Sequence, residues 1–451
     1  SDLNGNWNVD GDEFYGEESE VYNGRVIGDQ VELGPEIYVG RVMCTSTDEV
    51  SNWIEKLKKY EQNPGNGDYA FLSKWLATTA DDMQKAYEAD TVMKYLPSFF
   101  TTKTIIKELP DYNWPSPYYP KGADVIAKIN EHWGIYSNFN HGGPFGYGVA
   151  TEGLANPKLL NKANYNVNFI SNLPYDATGP ARTVIPESNN GFDKLTNINY
   201  PTIIYSTSCQ NIPFDGDGTP AGWRNLGEAF LGMYKSGGGP AYLGYTRDTW
   251  QGYSYLLYQD FVQKISVNNT LGIAESFSKK DYEYNKGAKH KLCLGHNILG
   301  CPEMPVWTAT PSTFSPTFYE SGSEVTVFPL CNDVKVTVMS ALDNGATYFN
   351  TQPVSGYYTF LNVPKPYYVT ITKTNYIPYL KNPGAVLIEN KNLTSTYLNC
   401  TSLSAGYSVD PAQNDGNVVV VNGQSVTFDV TGDIILAPGF EVQLGATFEA
   451  K

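Results

Sequence analysis

The sequence predicts an α/β domain with a mostly parallel sheet flanked by helices, followed by all-β modules. Two observations carry this. Up to about residue 308, short apolar runs alternate with helical patterns, the signature of a parallel sheet with right-handed crossovers. After Trp307 the helical spacing stops and period-two runs take over, separated by turn residues. The length of 451 residues suits roughly three domains, and 41% apolar residues, with 34 Tyr and 20 Phe, suffice for packed cores.

In chain order, Pro35-Glu36-Ile37-Tyr38-Val39-Gly40-Arg41-Val42 reads as a buried strand. Residues 47–60 read as a helix, capped by Ser46 or Thr47, with Asp48 and Glu49 in its first turn and Ile54, Leu57 and Tyr60 at helical spacing. Residues 71–77 are strand-like. Residues 123–133 read as a helix with Val125, Ile126, Ile129 and Trp133 on one face, and His132 near its C-terminal dipole. A helix over 226–235 stops at Gly237-Gly238-Gly239, a strand follows over 240–245, and a helix over 253–265. Beyond residue 311, Glu324-Val325-Thr326-Val327-Phe328, Val334-Lys335-Val336-Thr337-Val338 and Tyr368-Val369-Thr370-Ile371-Thr372 give an immunoglobulin-like sandwich pattern. Three β-runs near the end predict a small module that packs by stacking. The expected domains are therefore 1–308, 309–400 and 401–451.

A net charge of −16 argues against nucleic acid as partner, which needs clustered Lys and Arg. No apolar run reaches the ~18 residues of a membrane span. Ser1-Asp2-Leu3 reads as the start of a processed or truncated chain. Six cysteines are too sparse for a disulfide scaffold; Cys331 with Cys400, or Cys293 with Cys301, are candidate pairs that sequence cannot decide.

Chemistry concentrates in two segments. His141 lies in Phe139-Asn140-His141-Gly142-Gly143, and Cys209 ends Pro201-Thr202-Ile203-Ile204-Tyr205-Ser206-Thr207-Ser208-Cys209. Each is a short apolar strand, then small residues, then one reactive side chain. Open α/β sheets bind ligands at the carboxyl ends of their strands, so the two could form a thiolate–imidazole pair. A buried structural Cys beside an unrelated turn His fits the same segments. Separately, Asp2, Asn4, Asn6, Asn8, Asp10 and Asp12 place oxygen donors at alternate positions, with Glu13 beyond, a pattern suited to a structural Ca2+. Trp7 stands where an EF-hand needs Gly. Asp215-Gly216-Asp217-Gly218 is a weaker second cation site, or a Gly-rich turn. His290, Cys293, His296 and Cys301 have nearly the spacing of zinc ligands.

These tracts resemble the gingipain family of cysteine peptidases, relatives of caspases. The resemblance rests on the 35–42 tract, Asn140-His141-Gly142-Gly143, Ser206-Thr207-Ser208-Cys209, Gly227-Glu228-Ala229-Phe230, Ala241-Tyr242-Leu243-Gly244 and Asn297-Ile298-Leu299-Gly300-Cys301-Pro302-Glu303-Met304-Pro305-Val306-Trp307, in that order. It implies a caspase-like catalytic domain lacking its N-terminal half, then an immunoglobulin-like domain, in a secreted or cell-surface protein exported by a Bacteroidetes-type system. The missing half would be cut away, or bound as a separate chain. It implies Cys209 as nucleophile, His141 as acid and base, and the N–H groups of Gly142 and Cys209 as oxyanion hole. It also implies an acid after the 71–77 strand, here Asp81 or Asp82 with Asp81 favoured, to orient the imidazole; the alternative is that both only cap a helix. Trp250 matches a residue that walls the substrate cleft. No acid follows it as in Lys-cleaving relatives, which leaves a basic P1 residue without its usual partner; Asp248, Asp90 and Glu88 are alternatives against a reading as surface charge. The zinc reading loses ground because the tract around His296 and Cys301 carries no metal in the family. The expected function is a secreted cysteine endopeptidase acting on peptide or protein substrates; the alternative is a non-catalytic adhesion protein on a peptidase-like scaffold.

Overall fold

The apolar runs of the first 300 residues assemble into one six-stranded sheet. The protein is represented by a computed structural model. It describes residues 5–6, 11, 20–22, 25–27, 30–31, 37–107, 120, 122–149, 169–171, 190–214, 224–286, 290–342, 345–411 and 414–451. The chain divides into two compact units, Ser1–Pro311 and Ser312–Lys451.

The sheet of the first unit contains β1 (Lys74–Thr79), β2 (Thr102–Lys107), β3 (Ile135–Phe139), β4 (Ile203–Ser206), β5 (Ala241–Tyr245) and β6 (His296–Gly300). Their order is β6-β5-β4-β3-β1-β2, with β6 alone antiparallel to its neighbour. Every residue of β3, β4 and β5 is buried, as expected where helices cover both faces of a parallel sheet. Leu76, Tyr136, Ile204 and Tyr242 join Val125, Ile126, Ile129 and Phe230 in one core. Burial of each such large side chain stabilises the fold by about 1.5–3 kcal/mol.

Helix α1 (Thr47–Gln62) starts on Ser46, whose hydroxyl accepts from Glu49 N–H, and carries Asp48 and Glu49 in its first turn. The remaining helices used below are α2 (Asp81–Lys85), α3 (Glu88–Tyr95), α4 (Gly122–Ile129), α5 (Ser254–Lys264) and α6 (Leu271–Lys286).

Four local expectations change. The 35–42 tract is not a buried strand: among its described residues only Arg41 reaches the sheet, exchanging hydrogen bonds with Ile298 and Gly300, while Ile37 and Val39 are exposed. Gly40 permits that approach, since a Cβ there would fall 2.2 Å from the Gly300 carbonyl oxygen. Residues 69–73 form a 3₁₀ turn capped by Asp68 before β1 begins. Helix α4 ends at Ile129 because His132 is left-handed, with φ +68, and turns the chain into β3; its ring stacks on Tyr200 at 3.6 Å rather than facing a helix end. The helix at 226–235 makes one α turn, with Asn225 and Glu228 as a capping box, and then widens into a π-helix over Ala229–Met233. The carbonyls of Phe230 and Leu231 there accept from the buried Lys56 Nζ at 2.9 and 2.7 Å, and burial pulls that ammonium down to about 7.

The second unit begins with a sandwich. Strands Thr317–Ser321, Glu324–Phe328 and Tyr358–Phe360 form one sheet; Phe349–Val354, Val334–Ser340, Tyr367–Thr372 and Tyr379–Lys381 form the other. Alternate residues Val334, Val336 and Val338 face Val325, Val327 and Phe360 in a common core. Residues 385–450 then wind as a three-sided parallel solenoid, in which three successive short strands supply one turn, one to each of three sheets. The expected boundary at residue 400 falls inside this solenoid, because Thr396–Cys400 pairs in parallel with Ser425–Val430. None of the six cysteines is in a disulfide, so neither candidate pair forms. No helix among the described residues is long and apolar enough to cross a membrane.

Candidate active site

Three adjacent parallel strands, β1, β3 and β4, deliver Asp81, His141 and Cys209 to the same edge of the sheet. Thr79 is in register with Phe139, and Asn138 with Ser206. Asp81 and His141 each follow two residues after the first pair; His141 and Cys209 each follow three residues after the second. Neighbouring strands lie about 4.8 Å apart, so equal offsets keep the exits side by side. Asp81 Oδ2 lies 3.4 Å from His141 Nε2, and its other oxygen 3.2 Å from Lys85 Nζ. Asp82 pairs with Lys85 at 2.9 Å, so Asp81 is the acid that faces the imidazole. It begins α2 with φ +51, a left-handed conformation that points to a constrained position.

A polar clamp joins the loops that carry His141 and Cys209. Thr207 N–H and its hydroxyl both donate to the Asn138 carbonyl at 3.0 Å. Ser208 Oγ donates to the Asn140 carbonyl at 2.6 Å. The Ser206 hydroxyl bridges the side chains of Asn138 and Asn211, at 2.6 and 2.5 Å. Gly142 sits tight against this clamp: a Cβ there would fall 2.8 Å from Ser208 Cβ and 2.9 Å from Asn211 Nδ2. The need for Gly after His141 is therefore steric.

The loop after β5 closes the other side. Thr249 N–H points to Cys209 Sγ at 3.4 Å, and Sγ lies 3.7 Å from the Thr249 carbonyl oxygen. Trp250 is half-exposed next to it, and its carbonyl accepts from Tyr253 and Ser254 as α5 begins. Beneath this loop Glu88, at the start of α3, is fully buried and accepts from Gly252 N–H at 2.8 Å. Its second oxygen is buried without a protein partner, and burial pushes the carboxyl up to about 7 despite the Gly252 bond. Glu88 is thus no surface charge, whereas Asp248 is exposed and Asp90 pairs with Lys107 at 2.8 Å.

The cation residues Asp2, Asn4, Asn8, Asp10, Asp12 and Glu13 lie outside the described residues, as does the 215–218 tract; Asn6 is placed only by its backbone, in a short strand paired with Gln30–Val31. Of the zinc-spaced residues, His296 is buried, with Nδ1 2.6 Å from Glu275 Oε1 and its ring stacked on Tyr205. Among the described residues no cluster of three or more His, Cys, Asp or Glu is arranged to hold a metal. Sequence reasoning missed Asn138, Asn211, Ser206 and Thr249. Their only signal was the density of Asn and Ser around the reactive pair.

A family model described as Peptidase family C25 matches residues 6–307. Among solved structures, the chain resembles the Arg-specific cysteine proteinase gingipain R, RgpB, with 16% identity and a TM-score of 0.56, covering 81% of this chain and 78% of that one. It is similarly like the complex of Porphyromonas gingivalis RgpB pro- and mature domains, at 16% identity and TM-score 0.56, covering 80% of that chain. A third structure, described only as a protease, gives 16% identity and TM-score 0.54. At this identity the likeness is one of fold. A sequence search of curated proteins gives no match.

Proposed function

The chain belongs to peptidase family C25, the gingipain family of cysteine peptidases, and from that premise we propose that it is an endopeptidase acting through Cys209 and His141. The observation that carries this reading is the common edge of β1, β3 and β4, where Asp81, His141 and Cys209 follow paired strand residues at equal offsets. In the reaction, the Cys209 thiolate attacks the scissile carbonyl carbon and the C=O electron pair moves onto oxygen. The N–H groups of Gly142 and Cys209 receive that oxyanion. His141 protonates the departing amine as the tetrahedral centre collapses to a thioester. It then takes a proton from water, whose oxygen attacks the thioester and releases the thiolate and the acid. Asp81 holds the imidazole in orientation.

Trp250 forms one wall of the substrate cleft, and Glu88 supplies a buried negative charge under the same loop. A cationic P1 side chain fits that charge, and support comes from RgpB, which is described as Arg-specific. The same proposal takes the protein to be secreted, with Ca2+ on Asp2 to Glu13 as structural support and the N-terminal half of the precursor as a partner chain. Replacement tests the central part. Cys209→Ala and His141→Ala each lower kcat on peptide substrates by at least about a thousandfold; Asp81→Asn lowers it by a smaller factor. Undiminished cleavage by Cys209→Ala would reject the reading.

A further inference from the structure

Asn211 is fully buried two residues after Cys209. A carboxamide offers two N–H donors and two acceptor sites on oxygen; here both N–H groups face carbonyls and the oxygen faces two hydroxyls. Nδ2 donates to the Gly143 carbonyl at 3.0 Å and to the Cys209 carbonyl at 3.1 Å. Oδ1 accepts from Ser206 Oγ at 2.5 Å and from Tyr242 OH at 3.0 Å. The amide therefore has one orientation, and it ties the segment that follows His141 to the segment that holds Cys209. Gly142 packs directly on Nδ2. Between Cys209 and Asn211, Gln210 is left-handed at φ +50 and is held by its N–H on the Arg247 carbonyl at 3.1 Å. A turn of that kind keeps its shape only where its neighbours fix it.

We propose that Asn211 is a positioning residue for the oxyanion hole: by holding the carbonyls of Cys209 and Gly143 on one amide nitrogen, it sets the spacing between the Cys209 and Gly142 N–H groups. The proposal rests on the peptidase reading above. It makes a separable demand, since alkylation of the thiolate by iodoacetamide passes through no oxyanion, whereas acylation by a peptide and capture of a peptide aldehyde both do.

The test compares the native enzyme with Asn211→Asp, which keeps the shape and the acceptor but replaces the donor with an oxygen facing two carbonyls. The expected result is a fall in kcat of about a hundredfold, a matching loss of affinity for the peptide aldehyde, and KM and the Cys209 alkylation rate both within about threefold of native. Unchanged kcat overturns the proposal. So does an alkylation rate that falls in step with kcat, because the residue then supports the thiolate rather than the hole. If Asn211→Asp does not fold, Asn211→Ala serves, since it removes both Nδ2 bonds without placing a carboxylate against the two carbonyls; a loss of kcat and aldehyde affinity at constant alkylation rate supports the role, and no change in kcat refutes it. A native protein whose Cys209 alkylates but which neither cleaves peptides nor binds the aldehyde refutes the peptidase reading itself, a different outcome from native activity that survives the substitution.

Discussion

Asp81 and Gln210 both adopt left-handed backbone conformations beside the reactive residues. Each costs an L-residue about 1–2 kcal/mol, so the fold spends stability on the placement of its strand exits. Cys209 and His141 stood out as candidates in the sequence because the chain holds only six Cys and four His, and both follow apolar runs. Choosing between Asp81 and Asp82 needed geometry, since adjacent acids at a helix start look alike in sequence. Glu88 was one of three acids the sequence offered against a reading as surface charge, and its burial under Gly252 is what separates it from Asp248 and Asp90. That burial has a consequence for pH. With the carboxyl raised to about 7, Glu88 loses its charge as pH falls through neutrality. The ratio of kcat/KM for an Arg P1 substrate to that for an uncharged one is expected to fall as pH drops from 8 to 6. Glu88→Gln lowers this ratio by about tenfold or more at pH 8 and flattens its pH dependence. A ratio that keeps its native pH profile in Glu88→Gln contradicts the assignment.

The elements most legible in sequence were those with continuous apolar runs. Strands β3, β4 and β5 are buried along their whole length, and each begins with an apolar pair or triple before any polar residue. The edge strand β2 went unread because Thr102-Lys103-Thr104-Ile105-Ile106-Lys107 mixes cations with its apolar residues, as exposed edges do. The π-helix at 229–233 looks helical in sequence; its widened turn is held by Lys56, 174 positions earlier than Phe230. Helix α6 and strand β6 are joined by a buried group that sequence spacing suggested for zinc. Glu275 meets His296 at 2.6 Å and Lys279 at 3.4 Å. Burial raises the Glu275 carboxyl, but His296 and Lys279 outweigh it and hold it at about 2. A carboxyl depressed in the folded state adds stability above its unfolded value near 4.5, and that stability is lost as pH falls from there toward 2. Denaturant melts between pH 5 and 2 should therefore show a decline that is shallower in Glu275→Gln; equal slopes would remove Glu275 from the account.

Across the whole chain, the division into an α/β unit and a β-rich unit was readable from the change of period after Trp307. The solenoid was not, because its strands of three to six residues pair only with strands a full turn away and so leave no local hairpin signal. The −16 net charge says nothing of the reaction. The reaction is tested most directly by the thiols themselves. None of the six is in a disulfide, so the other five serve as internal controls for Cys209. Native protein is treated with limiting iodoacetamide at pH 7, and each cysteine is followed by peptide mass spectrometry. The account predicts that Cys209 is alkylated at least about tenfold faster than Cys331 or Cys44, and that His141→Ala abolishes the difference. A Cys209 that reacts no faster than those thiols, or whose rate is indifferent to His141, would contradict it.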